Sequence, residues 1–256
     1  MKGIMRVATF NILHGRSPAD DRVDIARYAE AVGSLDADVL ALQEVDRNLP
    51  RSANADLTSV AAEAMGAVEH RFVAALTGSP EATWVAATGD EQPGSAAYGI
   101  ALLSRYPVES WQVVRLAGAP TRVPTRRRGS RKPVLVRDEP RVAVAALVRT
   151  PERKLTVVNT HLSFVSWWGR HQLRRLMRSF AGTDPMLLVG DLNMSLQRAR
   201  AITAMTPLAE GDTFPVAEPT EQIDHILARG DLVRGADAAV HELPLSDHRA
   251  IAVDVT

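Results

Sequence analysis

The polar residues of this 256-residue chain that could do chemistry recur at one kind of place, the end of a short apolar run. They are Asn11 (Thr9-Phe10-Asn11), Glu44 (Leu42-Gln43-Glu44-Val45), His161 (Asn159-Thr160-His161), Asp191 and Asn193 (Gly190-Asp191-Leu192-Asn193), Asp224 (Ile223-Asp224-His225), and the adjacent Asp247 and His248. Carboxylates, amides and two imidazoles make an oxygen-rich donor set. With no cysteine in the chain, disulfide scaffolds, thiol catalysis and thiolate-held zinc or iron–sulfur clusters are excluded. Hard Mg²⁺ or Mn²⁺ suits such a set better than zinc, because Mg²⁺ takes one or two carboxylates and keeps several waters. Any one of these pieces is a common turn or strand end. Six of them in order, each closing an apolar run, point to one constellation.

The runs that must position them are of strand length: Arg6 to Asn11, Asp38 to Glu44, Tyr98 to Ser104, Leu155 to His161, Pro185 to Asp191 and Gln222 to Leu227. Being nearly continuous in apolar residues, they suit strands covered on both faces. Between them lie helical stripes. Ile25, Tyr28, Ala29, Val32 and Leu35 follow the i, i+3, i+4, i+7 rule behind a cap expected at Asp20 or Asp21. Leu57, Val60, Ala61 and Ala64 do the same ahead of a stop at Gly66, and Leu173, Leu176, Met177 and Phe180 form a third stripe backed by Arg170, Arg174, Arg175 and Arg178. The pattern predicts an α/β chain, with sites gathered at strand ends.

At this point the chain resembles a known group. The blocks around Asn11, Glu44, Tyr98 to Pro107, Asn159 to Leu162, Gly190 to Asn193, Ile223 to Ile226 and Ser246 to Arg249 are similar, in order, to the signature blocks of the endonuclease/exonuclease/phosphatase superfamily, the deoxyribonuclease-I-like metal-dependent phosphoesterases. The resemblance spans Arg6 to Val255 and is specific for superfamily, not for substrate, since relatives cleave DNA, RNA, sphingomyelin and inositol phosphates. It implies a four-layer αββα sandwich, two mixed β-sheets packed face to face with helices outside. The whole chain, 1–256, is expected to be one such domain.

The resemblance also implies roles. Glu44 would be the principal metal ligand with Asn11 beside it and Asp247 completing the site, for Mg²⁺ or Mn²⁺. Asp191 would orient and deprotonate the attacking water, and Asn193 would hold the phosphate or that water. Asp224 would pair with His248, which would bind a non-bridging phosphate oxygen, with His161 assisting from the facing half. Arg141, just after Pro140, resembles a phosphate-binding arginine, and Tyr98 opens a signature block on the substrate side. The chemistry requires these types. A phosphodiester repels hydroxide, so the site must neutralise charge, position water and protonate a leaving alkoxide, and an imidazole of reference pKa about 6.5 can share that proton traffic. One departure stands out. Where the nucleases of this group place a glutamate behind the counterpart of His161, this chain has Ser95, Ala96 and Ala97, with the nearest carboxylates at Asp90 and Glu91.

Thirty basic and thirty acidic residues give zero net charge, which argues against a protein that coats nucleic acid. The sum conceals a pattern: residues 1–109, 110–200 and 201–256 carry balances of −6, +13 and −7. No acid lies between Ser110 and Arg137, where Arg122, Arg126, Arg127, Arg128, Arg131 and Lys132 crowd a Pro- and Gly-punctuated segment read as a long loop over 117–133. That field suits an anionic phosphoester, so Arg126 and Arg127 join Arg141 and Tyr98 as substrate-binding candidates. Nucleic acid is the first substrate expected, a lipid head group (sphingomyelin, phosphoinositide) or inositol phosphate the second, and a non-catalytic binding module the third. No obligate protein partner is evident. Trp167 and Trp168 read as packing, a base-stacking platform or a lipid anchor, and Phe214 as a possible pocket wall. His14, His70, His171, His225 and His241 read as structural. No run is long enough to span a bilayer, and Met1 to Arg6 lead directly into a strand-like segment, so a cytoplasmic enzyme is expected.

Overall fold

The computed structural model describes residues 3–80, 83–92, 94–125 and 134–256. One sheet has seven strands in the order Arg234–His241, Ala250–Val255, Met5–Asn11, Val39–Arg47, Ala97–Ser104, Glu69–Gly78 and Trp84–Ala86. The other has six: Thr206–Pro207, Asp224–Arg229, Met186–Asp191, Lys154–His161, Arg141–Arg149 and Val108–Leu116. Each sheet is mixed, with a single parallel pair at its centre: Met5–Asn11 beside Val39–Arg47, and Lys154–His161 beside Met186–Asp191.

The continuous apolar runs are explained by three separate cores. Alternate residues of the central strands, among them Val7, Val39, Ala41, Val157, Leu187 and Val189, meet between the two sheets. Their neighbours on the first sheet, Ala8, Phe10, Leu40 and Leu42, pack outward against helices α1 (Ile25–Ser34) and α2 (Leu57–Met65). On the second sheet Val158, Met186 and Leu188 pack outward with Leu173, Leu176 and Phe180 from helix α3 (Ser166–Ser179) and its end, and with Ala199 of α4 (Leu196–Thr203). The layers are therefore αββα, as the resemblance implies. Every central strand is buried on both faces, so no polar–apolar alternation is left to read.

Local signals hold in part. Asp56 caps α2 by accepting from Thr58 N and Ser59 N, and Gly66 ends it at φ +68°. The cap of α1 is Asp24, which accepts from Arg27 N at 3.0 Å, and not Asp20 or Asp21. Asp20 is engaged instead by Arg22 N and the Arg27 guanidinium, and Asp21 by Arg16, in the turn that joins the short paired strands Arg16–Ser17 and Arg22–Val23. In the segment read as a loop, Val123–Thr125 pairs antiparallel with Val134–Val136. Arg126, Arg127, Arg128, Arg131 and Lys132 lie outside the described residues. Among those described, no helix is long and apolar enough to cross a membrane.

Candidate active site

The two parallel pairs end on the same side and deliver the polar residues together. His161, Asp191 and Asp224 are in register on three adjacent strands, so their side chains leave the sheet edge side by side. Gly190 allows this approach: at φ +128° a Cβ there would lie 2.0 Å from Thr160 O. On the facing sheet Asn11 ends its strand beside Gln43. Glu44 sits at a β-bulge, between Gln43 and Val45 in the ladder to Ala97–Ser104, and its φ is +57°. The extra residue leaves the pairing and re-aims its carboxylate, a use that bulges serve near active sites.

Asn11 joins the halves. Its buried amide donates from Nδ2 to Asp191 Oδ2 at 3.0 Å and Glu44 Oε1 at 3.3 Å. Asp191 Oδ1 accepts Asn193 N at 2.9 Å. Burial, then the charge of Asp224, raise the Asp191 carboxyl to about 7, against the pull of His248 and Asn11. Burial also raises Glu44; the Asn11 bond and the charges of Arg141 and His248 oppose the rise, and Asp247 adds to it.

The histidines flanking Asp191 are equally buried but differently partnered. His248 Nδ1 lies 2.9 Å from Asp224 Oδ2, and its Nε2 lies 3.9 Å from Asp191 Oδ2. Burial works against its charge, but Asp224, then Asp191 and Asp247, outweigh it and raise the ring to about 10. His161 Nδ1 instead faces Arg141 Nη1 at 3.3 Å. A guanidinium only donates, so Nδ1 presents its lone pair to it; this assignment puts the proton on Nε2, facing Asp191 Oδ2 at 3.4 Å. The Asn193 amide nitrogen, itself a donor, lies 3.2 Å from His161 Nε2 but is bonded to Leu162 O at 2.9 Å and not to the ring. Burial, followed by the charges of Arg141 and His248, drives His161 well below the ordinary range. The carboxylate missing behind His161 in the sequence is thus replaced by a cation; Glu91 is turned to Gly89 N and Thr88 N.

Arg141 is buried, with Nη2 at 3.6 Å from Glu139, and its charge is favoured over the burial cost by Glu139, Tyr98, Asp138 and Glu44. Tyr98 is buried at the same end, its hydroxyl raised well above 10 by burial and by Glu44. Phe214 packs on His248 at 4.9 Å between ring centroids. Of the histidines read as structural, His225 is buried on Met194 O at 2.8 Å. His14, at φ +47° just beyond Asn11, stands close enough to Arg51 to feel its charge. Asp247 lies beside Glu44, while its backbone carbonyl accepts Val216 N at 2.7 Å.

Several supporting residues escaped the sequence reading. Gln43 Nε2 donates across the sheets to Asn159 Oδ1 at 2.8 Å, and Asn159 Nδ2 donates to Leu42 O and Ala101 O at 3.0 and 2.7 Å. This buried amide pair fixes the two sheets directly beneath the site. Ser246 Oγ donates to Asn11 O at 2.6 Å and accepts His248 N at 3.1 Å, coupling Asn11 to His248. Arg51 forks onto buried Asp46 at 2.8 Å through two nitrogens and lies against Tyr98 and Trp84. For Gln43, Asp46, Asn159 and Ser246 the signal was adjacency to the motifs, one or two residues from Glu44, His161 or His248; Arg51, seven residues from Glu44, carried none.

The donor set can be tested for a cation on the structure itself. The Glu44 carboxylate, bonded by Asn11 Nδ2 at 3.3 Å with Asp247 beside it, gathers the three donors that the resemblance assigns to the metal. A second cluster, Asp191, Asp224 and His248, brings one ligand atom each within 4.8 Å of one another, but there His248 Nδ1 is committed to Asp224. Asp224 Oδ1 is buried without a hydrogen-bond partner, and Glu44 and Asp191 are raised by burial beside like charges. Crowded oxygen donors left under-satisfied fit a hard divalent ion.

A four-layer sandwich carrying an acidic and imidazole cluster at the shared edge of both sheets defines a class of phosphoester hydrolase. The sequence pattern described as "Endonuclease/Exonuclease/phosphatase family" matches residues 8–248, and the chain belongs to that family. No curated protein matches it. Among solved structures, an endonuclease/exonuclease/phosphatase from Beutenbergia cavernae DSM 12333 is similar with a TM-score of 0.70 and 22% identity, over 98% of this chain and 71% of that one. A mannosyl-6-phosphatase from Bacteroides thetaiotaomicron VPI-5482 has a TM-score of 0.63 at 17% identity over 98% and 99%. Sphingomyelinase C from Streptomyces griseocarneus has a TM-score of 0.62 at 14% identity over 99% of both chains.

Proposed function

We propose that the chain is one catalytic domain, a divalent-metal-dependent phosphodiesterase that attacks phosphorus directly with water. The observation that carries this reading is Asp191, a buried carboxylate raised towards neutrality between one charged and one neutral imidazole. Such a group can take a proton from water near neutral pH. Asn11, Glu44 and Asp247 would hold Mg²⁺ or Mn²⁺, which supplies Lewis acidity and charge neutralisation when bound. His248, fixed as a cation by Asp224, donates from Nε2 to a non-bridging oxygen as negative charge grows. His161 offers a neutral Nε2–H and Asn193 an amide to the phosphate, while Arg141 orients His161 and adds a fixed positive charge. The test is hydrolysis of bis(p-nitrophenyl) phosphate. EDTA should abolish it, Mg²⁺ or Mn²⁺ should restore it, and Asp191→Asn should remove at least about 10²-fold in turnover. Activity surviving exhaustive chelation, or an unchanged D191N rate, overturns the assignment.

A further inference from the structure

Next to this site lies a surface that hydrolysis of a small soluble ester does not use. Phe164, on the loop that follows His161, and Trp167, in the first turn of α3, are 45% and 47% exposed, the only exposed Phe, Tyr or Trp side chains among the described residues. Their neighbour Trp168 is anchored: its Nε1 donates to Ala117 O at 2.7 Å, where Gln172 Nε2 also donates at 2.9 Å. Ala117 directly follows the strand Val108–Leu116, and the next residue, Gly118, packs so closely on the backbone of Asp138 that a Cβ would lie 2.7 Å from its carbonyl oxygen, which closes the chain, on either side of the paired strands Val123–Thr125 and Val134–Val136, into a common base. Asp138 Oδ2 ties that base to the aromatic loop by accepting both Ala119 N and Ser163 Oγ at 2.8 Å. Val134 and Leu135 of that pair are 41% and 61% exposed. Four of the eight exposed large hydrophobics among the described residues thus belong to two segments rooted together at the catalytic edge.

The helix that carries Trp167 has charge of one sign, whereas Asp138, the carboxylate that ties the two segments together, is buried. Helix α3 contains no acid, and Arg170 and Arg174 follow Trp167 at i+3 and i+7, on the same face. They stand about 4.5 and 10 Å further along the axis, within roughly one Debye length of the exposed aromatics. The inner face of α3, with Leu173 and Leu176, is already buried on the sheet, so the Trp167–Arg face is left outward.

We propose that this edge docks on an anionic lipid bilayer and presents the site to phosphodiesters in the head-group layer. The proposal rests on the phosphodiesterase reading above and narrows its substrate class. Phe164 ahead of α3 and Trp167 in its first turn, with arginines behind them, match an interface that is apolar below and negatively charged at its surface. Exposed Val134 and Leu135 separate this from a nucleic-acid groove, because aliphatic side chains neither stack on bases nor bond phosphate, whereas both gain by entering acyl chains.

The experiment is co-sedimentation with phosphatidylcholine vesicles with and without phosphatidylglycerol, run on the wild type, on Phe164→Ala/Trp167→Ala and on Arg170→Glu/Arg174→Glu, with bis(p-nitrophenyl) phosphate hydrolysis measured on the same preparations. The wild type should bind the anionic vesicles, and each double variant should bind at least about tenfold more weakly with its soluble-substrate rate unchanged. Trp emission should shift to the blue on binding, and Trp167→Phe should abolish the shift. Absence of wild-type binding, or equal binding by both double variants, overturns the proposal. So does binding of a single-stranded oligonucleotide in place of vesicles, lost in the double variants, which would make the edge a nucleic-acid surface. Failure of the underlying phosphodiesterase reading shows separately, as soluble-substrate hydrolysis that survives D191N.

Discussion

His161, at the end of a strand, and His248, in the bends ahead of Ala250–Val255, flank the same carboxylate and are each 6% exposed, yet their surroundings push them in opposite directions, His161 towards the neutral ring and His248 towards the cation. The cause is the residue behind each ring. Asp224 stands behind His248 at 2.9 Å and Arg141 behind His161 at 3.3 Å. Burial penalises both imidazolium ions, and an adjacent carboxylate reverses the penalty where an adjacent guanidinium deepens it. The site is therefore asymmetric: one histidine supplies charge, the other a neutral donor.

The largest effect should come from the charged side. Replacing His248 by Ala removes both a cation and a donor and should lower kcat by about 10²–10³-fold, in the range of lost oxyanion-type donors. Asp224→Asn should cost less, about tenfold or more, because the ring remains but loses the partner that keeps it charged. Its pH–rate profile should change with it, activity falling as pH rises through a lowered His248 pKa. The neutral side should be more tolerant: His161→Gln, which keeps a neutral N–H, should retain activity to within roughly tenfold, whereas His248→Gln should not. Equal losses in the two Gln variants would erase the asymmetry.

A smaller effect concerns stability. The Asp224 carboxylate behind the ring raises His248 to about 10 from the ordinary histidine value of 6.5, so the folded state holds the extra proton between those limits. Its stabilisation is fully present below pH 6.5 and is lost as pH rises through 10. The metal-free protein should therefore lose several degrees of Tm across that window, and the loss should be shallower in H248Q. Asp191, also raised, loses its stabilising contribution between pH 3.8 and about 7, so the alkaline window isolates the histidine.

Much of the site was readable because its residues sit inside contiguous blocks, and strand ends gather polar groups. Asp224 beside His248 and Asn11 beside Glu44 came from resemblance, and the distances agree. The partner of His161 was not readable. Arg141 reaches it through antiparallel pairing that sets Ala143 opposite Thr160, a register that local sequence does not carry. The Gln43–Asn159 link joins residues 116 positions apart on different sheets. The helix stripes were legible, but among Asp20, Asp21 and Asp24 the capping preference is the same, and only the turn before α1 decided it. The layer order needed the resemblance, since strands buried on both faces give no sign of which face meets which layer.

The most direct measurement is ¹⁵N NMR of the imidazole nitrogens in metal-free protein across pH. At neutral pH both nitrogens of His248 should be protonated, while His161 should stay a neutral Nε2–H tautomer to well below its ordinary pKa. A His161 that titrates near the ordinary histidine range, or a His248 that is neutral at pH 7, would contradict the asymmetry.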